Sequence, residues 1–133
     1  MLKIVSAQVT DDGKDGQELI VKGNVSYLQD EVIIEYTEET EEIGSEHTKI
    51  TFRNGNEISI VREGQFSSEM IVEKGKRHTT FYKTPYGEFT MGIYGREVSF
   101  LRNEKQSVLR MKYTLDFNNG FVSLNSMNIY IEE

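Results

Sequence analysis

The chain alternates between apolar and polar residues with a period of two over much of its length. The clearest run lies between Ser107 and Phe117, where most odd positions are apolar and the even positions carry Arg, Lys, Thr and Asp. Such a period places successive side chains on opposite faces of a β-strand. The run therefore predicts a half-buried strand. Shorter runs of the same kind occupy 19–27, 32–36, 50–52 and 66–72, and no convincing helical period is present.

Tight-turn signals separate these runs. Arg53-Asn54-Gly55-Asn56 is the strongest hairpin signal, and weaker signals stand at 74–76, 94–96 and 118–120. Short strands joined by short turns predict an all-β protein, and their density is that of an up-and-down barrel or a sandwich. A closed antiparallel up-and-down barrel of about eight to ten strands is favoured, because closure removes exposed edges. We expect residues 1–133 to form a single β-barrel domain.

Two segments depart from simple alternation. The apolar positions of the last strand change phase between Leu124 and Met127, which predicts a β-bulge near Asn125 and Ser126. The segment 35–46 contains six Glu and no basic residue, which predicts a solvated loop. A divalent-cation site is the alternative for this loop, but the run lacks the register of such sites, in which oxygen ligands at fixed spacing flank a turn glycine.

Composition narrows the classes of partner and chemistry. The formal net charge is -7, and the chain has no Cys, so nucleic acid and anionic membranes are not expected as partners and disulfides are excluded. The start Met-Leu-Lys-Ile-Val lacks the long apolar stretch of a signal peptide or membrane span, which predicts a cytoplasmic location. The seven Phe and seven Tyr argue against disorder.

Several short motifs, in this order along the chain, carry a family resemblance. They are Tyr36 to Glu39, Arg62-Glu63-Gly64 with Met70, Tyr82-Lys83-Thr84-Pro85-Tyr86-Gly87, and Tyr113-Thr114-Leu115. In these motifs the chain resembles the YwiB-like family of uncharacterised bacterial proteins. The resemblance implies a lipocalin-like (calycin) barrel of unassigned function. Because the chain has no Trp, it cannot carry the Gly-x-Trp signature of true lipocalins, and their secreted biology is not implied.

The candidate site consists of polar side chains on faces that alternation turns inward. Arg62 shares its face with Ile58 and Ile60, and a buried guanidinium requires a partner. An Arg beside Tyr hydroxyls can hold a carboxylate or phosphate through forked donors, which predicts a small amphipathic or anionic ligand. The family resemblance favours an inward Tyr82. The predicted ligand-binding residues are Arg62, Tyr36, Tyr82, Tyr113, Thr80 and His78.

An alternative keeps the same fold without a cavity. Arg62 would pair permanently with Glu38 or another inward carboxylate, the barrel would be packed solid, and the protein would act through protein contacts or as a homodimer. No enzyme, metal or cofactor is predicted, because the chain has two His, no Cys and no Gly-x-Ser-x-Gly elbow. His78 would be the best candidate for proton transfer if it lay beside the cavity.

Overall fold

The computed structural model describes residues 1–42, 44–65, 67–117 and 120–132, with the side chains of 82–84 left out of the description. Within these residues the chain forms eleven β-strands and no helix. The strands are β1 (Leu2–Thr10), β2 (Gly13–Val21), β3 (Gly23–Tyr27), β4 (Glu31–Thr40), β5 (Gly44–Arg53), β6 (Glu57–Glu63), β7 (Ser68–Glu73), β8 (Arg77–Thr84), β9 (Gly87–Leu101), β10 (Gln106–Phe117) and β11 (Gly120–Glu132).

The strands form one antiparallel sheet in the order β2-β1-β11-β10-β9-β8-β7-β6-β5-β4-β3. Ten antiparallel pairings lead from β2 to β3, an even number, so these two strands run in the same direction. Only Lys22 separates them. They form one bent strand whose first half pairs with β1 and whose second half pairs with β4. The predicted up-and-down barrel is confirmed, with β2 and β3 sharing one of its ten positions.

The barrel is nearly closed. On its β3 side, β4 is paired from Val32 to Tyr36, and its residues 37–39 have no ladder partner there among the described residues. In the same part of the chain, the ladder pairing of β2 is with β1. We call the gap between β2 and residues 37–39 of β4 the seam. The end of the barrel where β4 ends and β5 begins is the upper end, and the opposite end is the lower end.

The middle and lower parts of the barrel hold the apolar core. Alternation in β10 buries Ser107, Leu109, Met111, Tyr113 and Leu115, as the sequence predicts. The largest fully buried apolar side chains are Leu2, Ile34, Ile50, Ile58, Ile60, Val72, Ile93, Leu109, Met111 and Ile129. At the lower end Phe100 packs on Phe52 and Tyr27, with ring centroids 5.7 and 6.4 Å apart. The buried apolar side chains form one cluster, against which Phe52 and Phe100 pack.

The turn signals have mixed outcomes. Asn54 and Gly55 have φ of 57° and 73° between β5 and β6, so the strongest predicted hairpin is confirmed. The turn at 74–76 is also confirmed, with Gly75 at φ 78° between β7 and β8. Part of the signal at 118–120 lies outside the described residues, although β10 and β11 pair on either side of it.

The hairpin predicted at 94–96 is wrong. Gly95 lies inside β9, at a bulge where pairing with β10 passes from Lys112↔Glu97 to Tyr113↔Gly95. The extra residue reverses the phase of β9, so that Ile93 and Val98 are both buried. Gly95 also binds the β7–β8 turn: its carbonyl accepts from the Gly75 N–H at 2.9 Å. Gly95 is therefore required by the close packing of β9 on the β7–β8 turn and not by a turn of its own.

The bulge predicted near Asn125 and Ser126 is also misplaced. Pairing between β10 and β11 shifts between Leu115↔Ser123 and Asp116↔Phe121, so the extra residue is Val122. From Ser123 to Ile131 the strand alternates without interruption. Asn125 is buried, and its Nδ2 donates to Ser123 Oγ at 2.8 Å. The error came from assuming that the inward face is apolar everywhere, whereas the upper interior is polar.

Candidate ligand-binding cavity

A cavity of about 450 Å³ lies at the seam. At the bend at Lys22 the strand changes its partner from β1 to β4, and above this bend no backbone ladder joins β2 to residues 37–39 of β4 in the described part of the chain. Its lining comprises Ile4, Ser6, Gln17, Glu18, Leu19, Tyr36, Glu38, Arg62 and Met127. A neighbouring cavity of about 230 Å³ shares Ser6, Gln17 and Met127 with it. The upper interior is therefore open and mixed in polarity.

One wall of the larger cavity is built by β4, β5 and β6. Tyr36 pairs with Thr48, and Thr48 pairs with Arg62, so these three residues form one row across the strands. The row directly above it pairs Glu38 with Glu46. Both rows face inward because they continue the phase of the buried isoleucines below them. The alternation of each strand therefore places the Arg62 and Tyr36 side chains on the same wall of the cavity.

The charges on this wall are unequal in number. Arg62 Nε lies 3.8 Å from Glu46 Oε1, with 29% and 23% of the two side chains exposed. That distance is an ion pair but is longer than a hydrogen bond. Glu38 lines the same cavity. The inward partner of Arg62 is therefore Glu46, one of the inward carboxylates that the sequence allowed besides Glu38, and the wall carries two carboxylates for one guanidinium.

Tyr36 supplies a neutral hydroxyl to this wall. Burial raises the pKa of the Tyr36 phenol, and the positive charge of Arg62 offsets part of that rise. The neighbouring Thr48 hydroxyl also lowers the same pKa, and the negative charge of Glu38 raises it. Thr48 Oγ1 is nevertheless buried without a hydrogen-bond partner of good geometry among the described residues. At neutral pH Tyr36 is protonated and can donate a hydrogen bond.

The prediction of a loop over 35–46 is wrong. Strand β4 continues to Thr40 and β5 begins at Gly44, so Glu38 and Glu46 are strand residues with inward side chains. The glutamate-rich run follows a strand period of two, in which Tyr36 and Glu38 occupy one face and Glu35 and Thr37 the other. That period was the feature of the sequence that indicated a strand in this segment. Ser6, Gln17 and Leu19 were not among the predicted contacts, because nothing local shows which strands meet at the seam.

The other predicted residues lie at different places. Tyr113 is buried and lines the smaller cavity beside Asn125. Thr80 is buried, and its hydroxyl donates to the Glu69 carbonyl. The backbone of Tyr82 pairs with Ser68 and Phe89 at the upper end, and its side chain lies outside the described part of the molecule. The upper end therefore gathers Arg62 and Tyr36 around one cavity and Tyr113 around its neighbour.

His78 lies beside the β7–β8 turn and does not line the cavity with Arg62. It is the second residue of β8, and its Nε2 is 2.9 Å from Glu73 Oε1. Lys76 Nζ lies 3.2 Å from the other oxygen of Glu73. Hydrogen bonds from His78 and Lys76 lower the pKa of the Glu73 carboxyl. His78 shares a strand phase with Thr80, and neither residue lines that cavity.

The lowered pKa of Glu73 predicts a dependence on pH. A carboxyl whose pKa falls on folding stabilises the fold above its unfolded pKa, and this contribution is lost as pH falls through the folded pKa. We expect ¹³C NMR to show Glu73 titrating below an ordinary Glu, and His78→Gln to move its pKa upward. An exposed carboxyl such as Glu104 serves as the internal reference. An unchanged Glu73 pKa in His78→Gln would contradict this assignment.

No group of three or more His, Asp or Glu side chains in the described part of the chain is placed to hold a metal ion. No helix there is long and apolar enough to cross a membrane.

The fold and the cavity define the class: a nearly closed, antiparallel, up-and-down β-barrel with a polar interior at one end. The chain belongs to the family described as domain of unknown function DUF1934, which it matches over residues 2–129. It is also similar to the crystal structure of the ywiB protein from Bacillus subtilis, with a TM-score of 0.84 and 21% identity over 98% of this chain and 88% of that chain. The YwiB-like resemblance is thereby confirmed. Curated proteins give no match.

Proposed function

We propose that this protein is a binding protein for a small amphipathic molecule, held in the cavity at the seam. The observation that carries the proposal is the wall formed by Arg62 and Tyr36 in a cavity of about 450 Å³. Small-ligand sites combine an apolar lining with a few convergent polar groups that orient the ligand. Ile4, Leu19 and Met127 supply the apolar part of this lining.

The side chains suggest how an amphipathic ligand with an anionic group would be oriented. The contact of Arg62 with Glu46 runs through Nε at 3.8 Å, so the terminal nitrogens can present a pair of donors to a ligand carboxylate. Tyr36 adds one directional donor, because its pKa is raised. The apolar body of the ligand would lie against Ile4 and Met127, where burial of its surface favours binding.

Arg62→Met provides the test. Hexanoate and 6-aminohexanoate, two six-carbon carboxylates, should shift the amide signals of residues around the cavity in ¹H–¹⁵N spectra. In Arg62→Met both should bind at least about tenfold more weakly, because a charge-assisted hydrogen bond is lost. Arg110→Met, the same change on an exposed outward position of β10, should bind like the parent protein. If neither probe shifts the cavity residues, or if Arg62→Met binds as well as the parent, the proposal fails.

The packed barrel that acts through protein contacts is the competing function. An open cavity beside Arg62 favours binding over that alternative, since a packed barrel fills its interior with its own side chains. Sedimentation velocity distinguishes the binding protein from the packed barrel. Under the competing function the chain should sediment as a homodimer, and Arg62→Met should change its stability but no binding reaction.

A further inference from the structure

The balance of charge around Arg62 disfavours a purely anionic ligand. Glu46 lies 3.8 Å from the guanidinium, and Glu38 lines the same cavity. The three groups together carry one net negative charge. A carboxylate that approaches Arg62 therefore meets two like charges on the same wall, and like charges in a partly water-excluded site repel strongly.

We propose that the ligand is a zwitterion, with a carboxylate bound at Arg62 and an ammonium group bound at Glu38. This inference rests on the proposed function and deepens it by naming the chemical class of the ligand. The ammonium group would neutralise the excess negative charge of the wall and would donate to the Glu38 carboxylate. The remainder of the molecule is apolar, because Ile4, Leu19 and Met127 form the rest of the lining.

The strand register places the two charged groups within reach of one small molecule. Glu38 lies on β4 and Arg62 on β6, with β5 between them, and their positions differ by two residues along the strands. Adjacent strands are about 4.8 Å apart, so the two backbones are about 10 Å apart and the long side chains converge from either side. Both side chains line the same cavity. A single ligand can therefore contact both.

Glu38 is better placed than Glu46 to receive the ammonium group. Glu46 contacts the Arg62 guanidinium and is not among the residues that line the cavity. Glu38 does line the cavity, and it has no ion pair within 4 Å among the described residues. Glu18 also lines the cavity but lies 3.6 Å from Lys3 Nζ. Of the carboxylates around the site, Glu38 is thus the one whose charge is not already balanced.

A matched series of six-carbon probes tests the inference. Hexanoate carries only the carboxylate, hexylamine only the ammonium group, and 2-aminohexanoate and 6-aminohexanoate carry both at different separations. Titrations followed in ¹H–¹⁵N spectra should show at least one amino acid binding about tenfold more tightly than hexanoate or hexylamine. The preferred isomer reports the spacing of the two charges.

Glu38→Gln separates this inference from the proposed function. In Glu38→Gln the advantage of the amino acid over hexanoate should disappear, while hexanoate itself should bind more tightly because a repulsive charge is removed. Glu97→Gln, on an exposed position of β9 that pairs with Lys112 on the outer surface, should retain the parent preference. If hexanoate binds as tightly as both amino acids, or if Glu38→Gln keeps the preference, the zwitterion is excluded and the binding barrel stands. If none of the four probes shifts the cavity residues, both proposals fail.

Discussion

Replacing Gly95 with alanine is expected to destabilise the barrel by about 3 kcal/mol, among the largest effects of a single methyl group in this chain. A Cβ at Gly95 would collide with the carbonyl group of Glu73. The neighbour is backbone, and it cannot rotate away as a side chain would. The same peptide is tied to the β7–β8 turn, because the Gly95 N–H donates to the Lys76 carbonyl at 3.2 Å. Relief of the clash therefore requires β7 and β9 to separate.

Thermal unfolding measures this effect, and Gly16→Ala is the matched control. Gly16 is an exposed strand residue at which a new Cβ would meet only the Ser6 carbonyl, at an ordinary 3.5 Å. The control should unfold close to the parent temperature, and Gly95→Ala should unfold roughly 10 °C lower. Equal midpoints for the two variants would show that β7 and β9 yield easily and that Gly95 does not determine their approach.

Gly23→Ala is expected to cost about 2–3 kcal/mol and to act on the closure of the barrel. Gly23 lies just after the bend between β2 and β3, and it pairs with Tyr36. A Cβ there would lie 2.6 Å from the Glu35 carbonyl oxygen and 2.5 Å from Leu2 Cδ1. The contact with the Glu35 carbonyl oxygen would push β3 away from β4. The seam should therefore extend toward the lower end.

Hydrogen exchange distinguishes this local opening from general destabilisation. In Gly23→Ala the amides of the β3–β4 ladder should lose more protection than those of the β9–β10 ladder. In Gly95→Ala the loss should instead be largest in β7 and β9. Uniform loss across both ladders in Gly23→Ala would contradict a role for Gly23 in closing the barrel beside the cavity.

These glycines show why the cavity has its position. Gly23 permits the bent strand to change partners from β1 to β4, and above that point no backbone ladder joins β2 to 37–39 of β4 in the described residues. The opening is thus a product of how the barrel closes at its lower end. Polar inward residues follow from it, because side chains near an opening remain in contact with water and need not be apolar.

The regular alternation could be interpreted correctly from the residues alone. The alternation from Ser107 to Phe117 predicted β10 and its buried face. The β5–β6 hairpin was predicted from the turn sequence Arg53-Asn54-Gly55-Asn56. Alternation also indicated that Arg62 shares the inward face of Ile58 and Ile60. These features depend on local geometry, in which the period of two and the tolerance of Asn and Gly for positive φ decide the outcome.

The misplaced features depend on contacts between residues far apart in sequence. Gly95 resembles a turn glycine, and only the approach of Glu73 shows that it is needed at a bulge. Asn125 resembles an outward residue until the upper interior is known to be polar. His78 shares a strand phase with Thr80, yet strand phase does not show which inward positions adjoin the cavity, and the structure places His78 against Glu73 and outside the lining of the seam cavity.

Local patterns in the sequence specify an antiparallel β-barrel and the buried face of most strands, because the side-chain period and the turn residues act over a few neighbouring positions. The place where the barrel fails to close depends instead on the folded sheet, and so does the meeting of Glu38, Glu46, Tyr36 and Arg62 on one wall. The register between strands and the bend at Lys22 arise from packing across the whole sheet, which no local pattern encodes.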